Sequence, residues 1–354
     1  MNLLFYSRAY AKVAGGVEKM SLDLARGLAE RGHTITILSL DQEWEKSFFE
    51  WPDKVSWIKL GIGNPNNKNN VFIRLRRVLA IRSIARNGNF DAAVGFQIGS
   101  FALLKSALIG LRIRTIAAER NAPTLFNFIS NGKLKRFFSN LILYSADCIA
   151  VQFEDYKKLY PKFLQNRIKV TPNWVATQIN IGRKLDSKVV KILFIGRLTF
   201  QKNVSVLIEA LKYLPTNFQI SIVGDGPEIE WLKNLSSNYP QRVEFHPPST
   251  DLSAFYRGAN IFCLTSRWEG FPNVIAEALS YGLPCVGFRE CSGIPQLILD
   301  NKNGITAKKM GDPQSLAEAI ISAFLIESRP SDIAMTVGDY TYDKYIKSWE
   351  IAFS

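Results

Sequence analysis

The chain has 354 residues, enough for two domains of ordinary size. Its 47% apolar and 12% aromatic content supplies real cores and excludes disordered, collagen-like and low-complexity classes. The net charge of +13 lies wholly in residues 1–172, with 26 Lys and Arg against 13 Asp and Glu, while residues 173–354 carry 18 of each; a basic half of this kind suggests an anionic partner such as nucleic acid, anionic lipid or a polyphosphate ligand.

Residues 1–7 are too short and lack the form of a signal peptide, and read as a first strand over Leu3–Ser7. A loop leads to Gly15-Gly16, where a helix starts that runs to about Arg31, and Thr34–Leu40 is the second strand. Further strands fall near Val55–Leu60, Ala92–Gly95, Thr115–Ala118 and Cys148–Val151. This alternation implies βαβ units and a parallel sheet. The nearly uncharged stretch Ala92 to Leu111 is interrupted by Lys105, Gly95, Gly99 and Gly110, so a strand followed by a helix explains it better than a membrane span. A strand from Ile168 breaks at Pro172, and polar residues to about Lys188 suit an interdomain connection. A second series opens at Lys191–Gly196 and continues through Gln219–Val223, Arg242–Phe245, Ile261–Leu264, Pro284–Gly287 and Gly304–Ala307, with helices such as Ser205–Leu214 and Glu228–Ser237 between them. The expected architecture is α/β, two Rossmann-like halves facing a central cleft, with ligands beyond the carboxyl ends of the strands.

Two groups of residues in the second half carry chemistry. Arg197 and Lys202 follow the strand that ends at Gly196, where an arginine can grip a phosphate bidentately and a lysine adds a point charge; the plainer alternative is a pair of solvated loop cations. Glu269 and Glu277 lie eight residues apart around Gly270-Phe271-Pro272-Asn273-Val274. Pro272 suits a first helical turn, and Gly282 with Pro284 ends the helix, so Glu269 sits just before a helix N-terminus and Glu277 two turns further in. Free N–H groups at such a terminus attract phosphate, and a carboxylate beside them is what recognition of a nucleotide-sugar needs. The alternatives are a helix-terminus charge for Glu269 and a buried ion-pair partner for Glu277. In the first half, Gly15-Gly16 opens a helix without the G-x-G-x-x-G fingerprint, and Glu119-Arg120-Asn121 follows the strand at Thr115–Ala118. Cys148, Cys263, Cys285 and Cys291 form no CxxC pair and there are only two histidines, so no zinc site is expected; Cys263 and Cys285, in apolar runs, read as core thiols of a reducing compartment.

The series Gly196-Arg197, Lys202, Val223-Gly224-Asp225-Gly226-Pro227, Ser266 to Pro272 with Glu277, and Gly282-Leu283-Pro284 resembles the retaining glycosyltransferase family 4, whose members have the GT-B fold. The resemblance spans about residues 1–320 and is most specific in the two glutamates with Gly-Phe-Pro-Asn between them. It implies that Arg197 and Lys202 hold the donor diphosphate and that Glu269 sits near the transferred sugar, with the N–H groups of Gly270 and Phe271 reaching its hydroxyls. It further implies that Asn273 and Val274 line the phosphate and ribose side and that Glu277 accepts hydrogen bonds from the ribose. The loop at Gly15-Gly16 would lie across the cleft from the donor. Family members often present a histidine near the sugar; neither His33 nor His246 obviously fills that place. The Glu119-Arg120-Asn121 triplet resembles a subset of bacterial glycan-assembly transferases, in which Glu119 would act as acceptor-side base or position the sugar; an ion pair with Arg120 is the alternative. Domains are expected at 1–172 (acceptor side) and 173–338 (donor side), with 339–354 a helix returning to the first. With no D-x-D motif, no metal or other cofactor is expected.

Two basic segments, 72–86 and 131–144, mix cations with large apolar residues at helical spacing. Each suits either an anionic bilayer surface or a packed amphipathic helix with its arginines on the wet face. No nucleic-acid module is evident. The resulting expectation is a retaining transferase that moves a hexose or N-acetylhexosamine from a UDP-sugar to a lipid-diphosphate-linked glycan. It would be cytoplasmic and peripherally associated with the inner face of the cell membrane. A GT-B-type nucleotide-sugar epimerase and a non-enzymatic basic scaffold are the rival readings.

Overall fold

The computed structural model describes residues 1–11, 15–63, 70–178 and 188–354. The chain forms two compact units, Met1–Asn173 with Asp343–Ser354, and Trp174–Tyr342. Of the stretch expected to connect two domains, residues 179–187 lie outside the described residues.

The first unit is built on strands β1 (Asn2–Tyr6), β2 (Thr34–Ser39), β3 (Val55–Lys59), β4 (Ala92–Phe96), β5 (Arg114–Ala118), β6 (Cys148–Val151) and β7 (Ile168–Val170). All pair in parallel, in the order β3-β2-β1-β4-β5-β6-β7. Helices cover a parallel sheet on both faces, so its central strands must be apolar throughout. Leu3, Leu4 and Phe5 of β1 and Ala92, Ala93 and Val94 of β4 are fully buried. The helix Tyr342–Phe353 packs its Asp343–Phe353 portion into this unit: Tyr345 Oη donates to the Met20 carbonyl at 2.8 Å, and the buried Trp349 ring lies 6.2 Å from Phe96. Arg31 pins it from outside through Asp343 (2.5 Å) and Glu350 (2.6 Å).

The second unit has strands β8 (Val190–Ile195), β9 (Phe218–Val223), β10 (Val243–His246), β11 (Ile261–Leu264), β12 (Cys285–Phe288) and β13 (Gly304–Ala307), again all parallel, in the order β10-β9-β8-β11-β12-β13. In each sheet the chain starts in the middle, runs to one edge, then returns to the other side of its first strand. The loops leaving the first and fourth strands therefore diverge and leave a crevice at their carboxyl ends. In the second unit those strands are β8 and β11.

Three local expectations are corrected. The helix expected over Ser205–Leu214 spans only Val204–Ala210. Its last turn tightens into i to i−3 bonds, and the Arg242 guanidinium donates to the carbonyls of Leu211 (3.0 Å) and Pro215 (2.8 Å), ending the helix early. The helix after Glu269 runs Asn273–Ser280, so Pro272 is its N-cap rather than a first-turn residue, and Glu277 lies one turn in, not two. Pro272 donates nothing, but its carbonyl accepts the N–H groups of Ile275 (2.9 Å) and Ala276 (3.2 Å). Finally, the helix Val71–Asn87 does not put all its arginines in water. Arg77 is only 6% exposed and its Nε donates to the Ile62 carbonyl at 2.8 Å. It shares one narrow stripe with Ile81 and Ala85, where its long apolar stem packs. Among the described residues, no helix is long and apolar enough to cross a membrane.

Candidate functional site

The loops that leave β8 and β11 meet at the crevice of the second unit. Close backbone approach forms its floor. A Cβ on Gly224 would collide with the Gly196 carbonyl and one on Gly226 with that of Leu198, so the Gly-Asp-Gly-Pro turn after β9 can lie against the β8 loop only without side chains there. Lys202, at the end of the β8 loop, reaches across to Glu269 in the β11 loop, with Nζ 2.6 Å from Oε1. Their side chains are 17% and 9% exposed. The two loops are also stitched directly. Thr265 Oγ1 donates to the Lys202 carbonyl (2.8 Å), Gln201 Nε2 to the Trp268 carbonyl (2.8 Å), and the Arg267 N–H to the Gln201 carbonyl (2.8 Å). Arg267 is a brace: its guanidinium donates to the Phe200 carbonyl and to Asn203 Oδ1, and stacks 4.3 Å from the Phe200 ring centroid. Beneath the pair, the Cys291 thiol is fully buried, and burial with the adjacent Glu269 carboxylate raises its pKa well above the ordinary thiol value. It is a neutral packing group, not a nucleophile.

Arg197 is exposed on the β8 loop and makes no hydrogen bond or ion pair with the described residues, in contrast to Lys202. After Glu269 the chain turns through Gly270, Phe271 and Pro272, all buried, and Phe271 packs edge-to-face on Tyr340 with centroids 5.3 Å apart. Asn273 and Val274 are half-buried at the helix start. One turn on, half-buried Glu277 accepts a hydrogen bond from Tyr256 Oη (2.9 Å), a residue 2% exposed. The arrangement sets a cation beside a carboxylate at the crevice, next to a helix N-terminus, with a second carboxylate one turn along. It can meet an anion and a polyhydroxylated group side by side.

The remaining candidates, apart from His246, lie in the first unit. Gly15 caps the helix Gly16–Glu30, while residues 12–14 before it lie outside the described residues. The loop after β1 is held by Asp41, whose carboxylate accepts the N–H groups of Tyr10 (2.8 Å) and Ala11 (3.1 Å). Glu119 follows β5 with its side chain buried, and burial pushes its pKa up to about 7 despite the nearby Arg120 charge. Arg120 is equally buried but turns elsewhere: Nη2 donates to Thr171 Oγ1 (2.7 Å) and the Ala150 carbonyl (3.1 Å), and the guanidinium stacks 5.0 Å from the Trp349 ring. No ion pair joins it to Glu119 among the described residues, so Arg120 braces β5 to β6, β7 and the last helix. Asn121 is half-buried. His33 opens β2 at the opposite, amino end of the sheet, with burial lowering its pKa. His246 ends β10 packed on Phe255, with centroids 5.1 Å apart.

The sequence had no signal for Tyr256, Gln201, Thr265 or Cys291. None belongs to a spaced motif, and each reaches the site through a fold contact from a different loop or helix.

Two family models match the chain: Glycosyltransferase Family 4 over residues 14–179 and Glycosyl transferases group 1 over residues 178–336. An uncharacterized glycosyltransferase of Haemophilus influenzae is 27% identical over 352 residues, covering 95% of this chain and 96% of that protein. An alpha-1,4-N-acetyl-D-galactosaminyltransferase of Campylobacter jejuni, named for a GalNAc- and diNAcBac-bearing PP-undecaprenol, is 24% identical and covers 82% of this chain and 81% of its own. Among solved structures, Anabaena HepE in complex with UDP-glucose superposes with a TM-score of 0.78 at 18% identity, covering 99% of both chains, and so shares the fold. With two parallel-sheet Rossmann-like units, the matched regions running from residue 14 to residue 336, and glycosyltransferases of similar length as relatives, the chain belongs to the family 4-type glycosyltransferases of the GT-B fold.

Proposed function

We propose that this glycosyltransferase moves a hexose or N-acetylhexosamine from a UDP-sugar to a lipid-diphosphate-linked glycan, with retention at the anomeric carbon, in the assembly of a cell-surface polysaccharide or lipopolysaccharide. The observation that carries the reading is the Lys202–Glu269 pair at the crevice of the second unit, with Glu277 one turn into the adjoining helix. Breaking a glycosyl–phosphate bond leaves negative charge on the nucleotide and positive character on the sugar ring. Lys202 and Arg197 stabilise the first, and Glu269 lies on the sugar side. Backbone N–H groups of Gly270 and Phe271 orient the sugar, Asn273 and Val274 line the phosphate and ribose side, and Glu277 takes the ribose hydroxyls. In the first unit, Gly15 and Gly16 contribute to donor binding and Glu119 serves the acceptor. UDP as the nucleotide is supported by the UDP-glucose complex of HepE, and a lipid-linked acceptor by the PP-undecaprenol in the name of the Campylobacter relative.

The test is a donor screen by thermal shift, followed by product analysis with a lipid-diphosphate acceptor. A glycosylated acceptor of retained configuration supports the reading. Accumulation of an epimerised UDP-sugar without acceptor overturns it. Since cationic side chains and a helix end do the work of a metal here, EDTA should leave the rate of transfer unchanged, and a rate restored only by added Mg²⁺ or Mn²⁺ would contradict metal-free donor binding.

The acceptor reading places the chain on the inner face of the membrane. Support comes from the helix Gly132–Tyr144, which has no acidic residue and exposes Leu134, Phe137, Phe138, Leu141 and Tyr144 alongside Lys133 and Lys135. Large apolar side chains between cations suit the headgroup boundary of an anionic bilayer. The protein should sediment with vesicles containing phosphatidylglycerol and not with pure phosphatidylcholine. Replacing Lys133 and Lys135 by glutamine should weaken that binding about tenfold or more. Charge removal at Arg74 and Arg76 tests the other basic helix, with Arg77 spared because it is buried. Sedimentation that ignores all four substitutions would remove the membrane contact.

A further inference from the structure

Glu277 extends from the middle of a helix on a side chain with three rotatable bonds, a poor grip for a ribose unless something holds it. The structure supplies a holder from another segment. Tyr256 lies in the short helix Ser253–Gly258 before β11, is 2% exposed, and donates its hydroxyl to Glu277 Oε2 at 2.9 Å. The Tyr256 ring is itself clamped. It stacks on Tyr281 at 4.9 Å and 19°, and lies 6.1 Å from Phe262 of β11. Tyr281 caps the carboxyl end of the same helix that carries Glu277. The phenol is thus fixed on one side by the sheet and on the other by the helix it serves.

We propose that Tyr256 is a positioning residue for the donor nucleotide: its buried hydroxyl locks the Glu277 carboxylate in the rotamer that receives the ribose 2′- and 3′-hydroxyls. The proposal rests on the reading of Glu277 as the ribose ligand. The chemistry suits a permanent donor. Burial beside a carboxylate raises the Tyr256 pKa well above the ordinary phenol value, so it keeps its proton wherever the enzyme works. A carboxylate held by a charge-assisted hydrogen bond has lost its rotamer freedom before the ligand arrives, and that ordering no longer weakens binding. Water could hydrogen-bond the same oxygen, but it would not fix the side chain's direction.

Tyr256→Phe keeps the ring and its stacking and removes one oxygen. The measurement is the affinity of the full-length protein for UDP and for 2′-deoxy-UDP by calorimetry, on the wild type, Tyr256→Phe and Glu277→Gln, with thermal midpoints recorded for each. The wild type should prefer UDP. Tyr256→Phe should bind UDP about tenfold more weakly and 2′-deoxy-UDP, which keeps only its 3′-hydroxyl contact, markedly less so, and the preference shrinks. In turnover, the donor KM should rise in Tyr256→Phe and kcat stay within about twofold, because the reacting bond is untouched. A Tyr256→Phe protein that keeps the wild-type preference, beside a Glu277→Gln protein that loses it, overturns the positioning role and leaves the Glu277 reading intact. A wild type and Glu277→Gln that both fail to distinguish the two nucleotides overturn the Glu277 reading and this proposal with it. Equal weakening toward both nucleotides in Tyr256→Phe, with a lowered thermal midpoint, assigns the hydroxyl to structure and also overturns it.

Discussion

Replacing Lys202 by methionine or Glu269 by glutamine should lower glycosyl transfer by about 10²–10³-fold while the fold persists. The choice of substitutes follows from the 2.6 Å contact between the two side chains, both largely out of water. Any neutral substitute leaves the partner's charge buried and uncompensated, which typically costs about 3–5 kcal/mol, and alanine would open a cavity on top of that, so lost stability could then pass for lost catalysis. Methionine keeps the length of the lysine stem, and glutamine keeps the shape and one hydrogen-bond acceptor of the glutamate. The pair also predicts how the two sites combine. If Lys202 steadies the leaving diphosphate and Glu269 the sugar as charge separates, they act in one transition state, and the double variant should lose far less than the product of the two single losses. The assay is initial-rate transfer with saturating donor, alongside thermal midpoints. Wild-type-like rates in both single variants would remove the proposed site. Arg197→Gln offers an internal contrast: its side chain is exposed and has no protein partner among the described residues, so any loss there reports on ligand contact alone.

Glu119→Gln should become more stable than the wild type as pH rises. Burial moves this carboxyl from an ordinary 4.5 up to about 7 in the folded chain, so between those values the folded state holds a proton that the unfolded state has released. The wild type therefore loses stability as pH climbs through this window and levels off above it. The shift corresponds to about 3 kcal/mol, which glutamine, having nothing to ionise, does not lose. At pH 5 the variant and wild type should melt within about 2 °C of each other, and at pH 8 the variant should melt about 5–10 °C higher in the transition of the first unit. A constant difference across pH would refute the buried-carboxyl account. The same substitution separates structure from function. If Glu119 is the acceptor-side base, Glu119→Gln becomes more stable and less active together, the trade expected where a site holds a group in an unfavourable environment. A variant that gains stability and keeps its transfer rate would leave Glu119 a buried acid without a role in the reaction.

The alternation of apolar runs with helical segments was enough to read two parallel sheets, because a strand covered on both faces has no polar side to confuse its pattern. Strands from Asn2–Tyr6 to Gly304–Ala307 stand within a residue or two of their expected places. Helix ends were less legible. The early stop after Ala210 depends on Arg242, thirty-two residues away, whose guanidinium collects carbonyls there. The helix Val71–Asn87 misled for a related reason. Its spacing placed Arg77 among apolar residues, but only the packed structure shows that Arg77 enters the buried stripe while Phe72 and Leu75 remain outside.

At the site, sequence by itself determined the residue types and the loops that carry them: cations after one strand, a glutamate after another, and a helix start between two carboxylates. Spacing along the chain records such things because a strand end and a helix N-terminus are local events. Only the tertiary structure decided which of these groups touch. Lys202 and Glu269 are sixty-seven residues apart and meet because β8 and β11 are neighbours where the order of the sheet reverses. Tyr256 finds Glu277 because a short helix before β11 packs against the helix after it. Arg120 turns from its neighbour Glu119 to Thr171 because β7 ends beside β6. Contacts of this kind depend on strand order and packing rather than on any run of residues, and so they become visible only when the chain has folded.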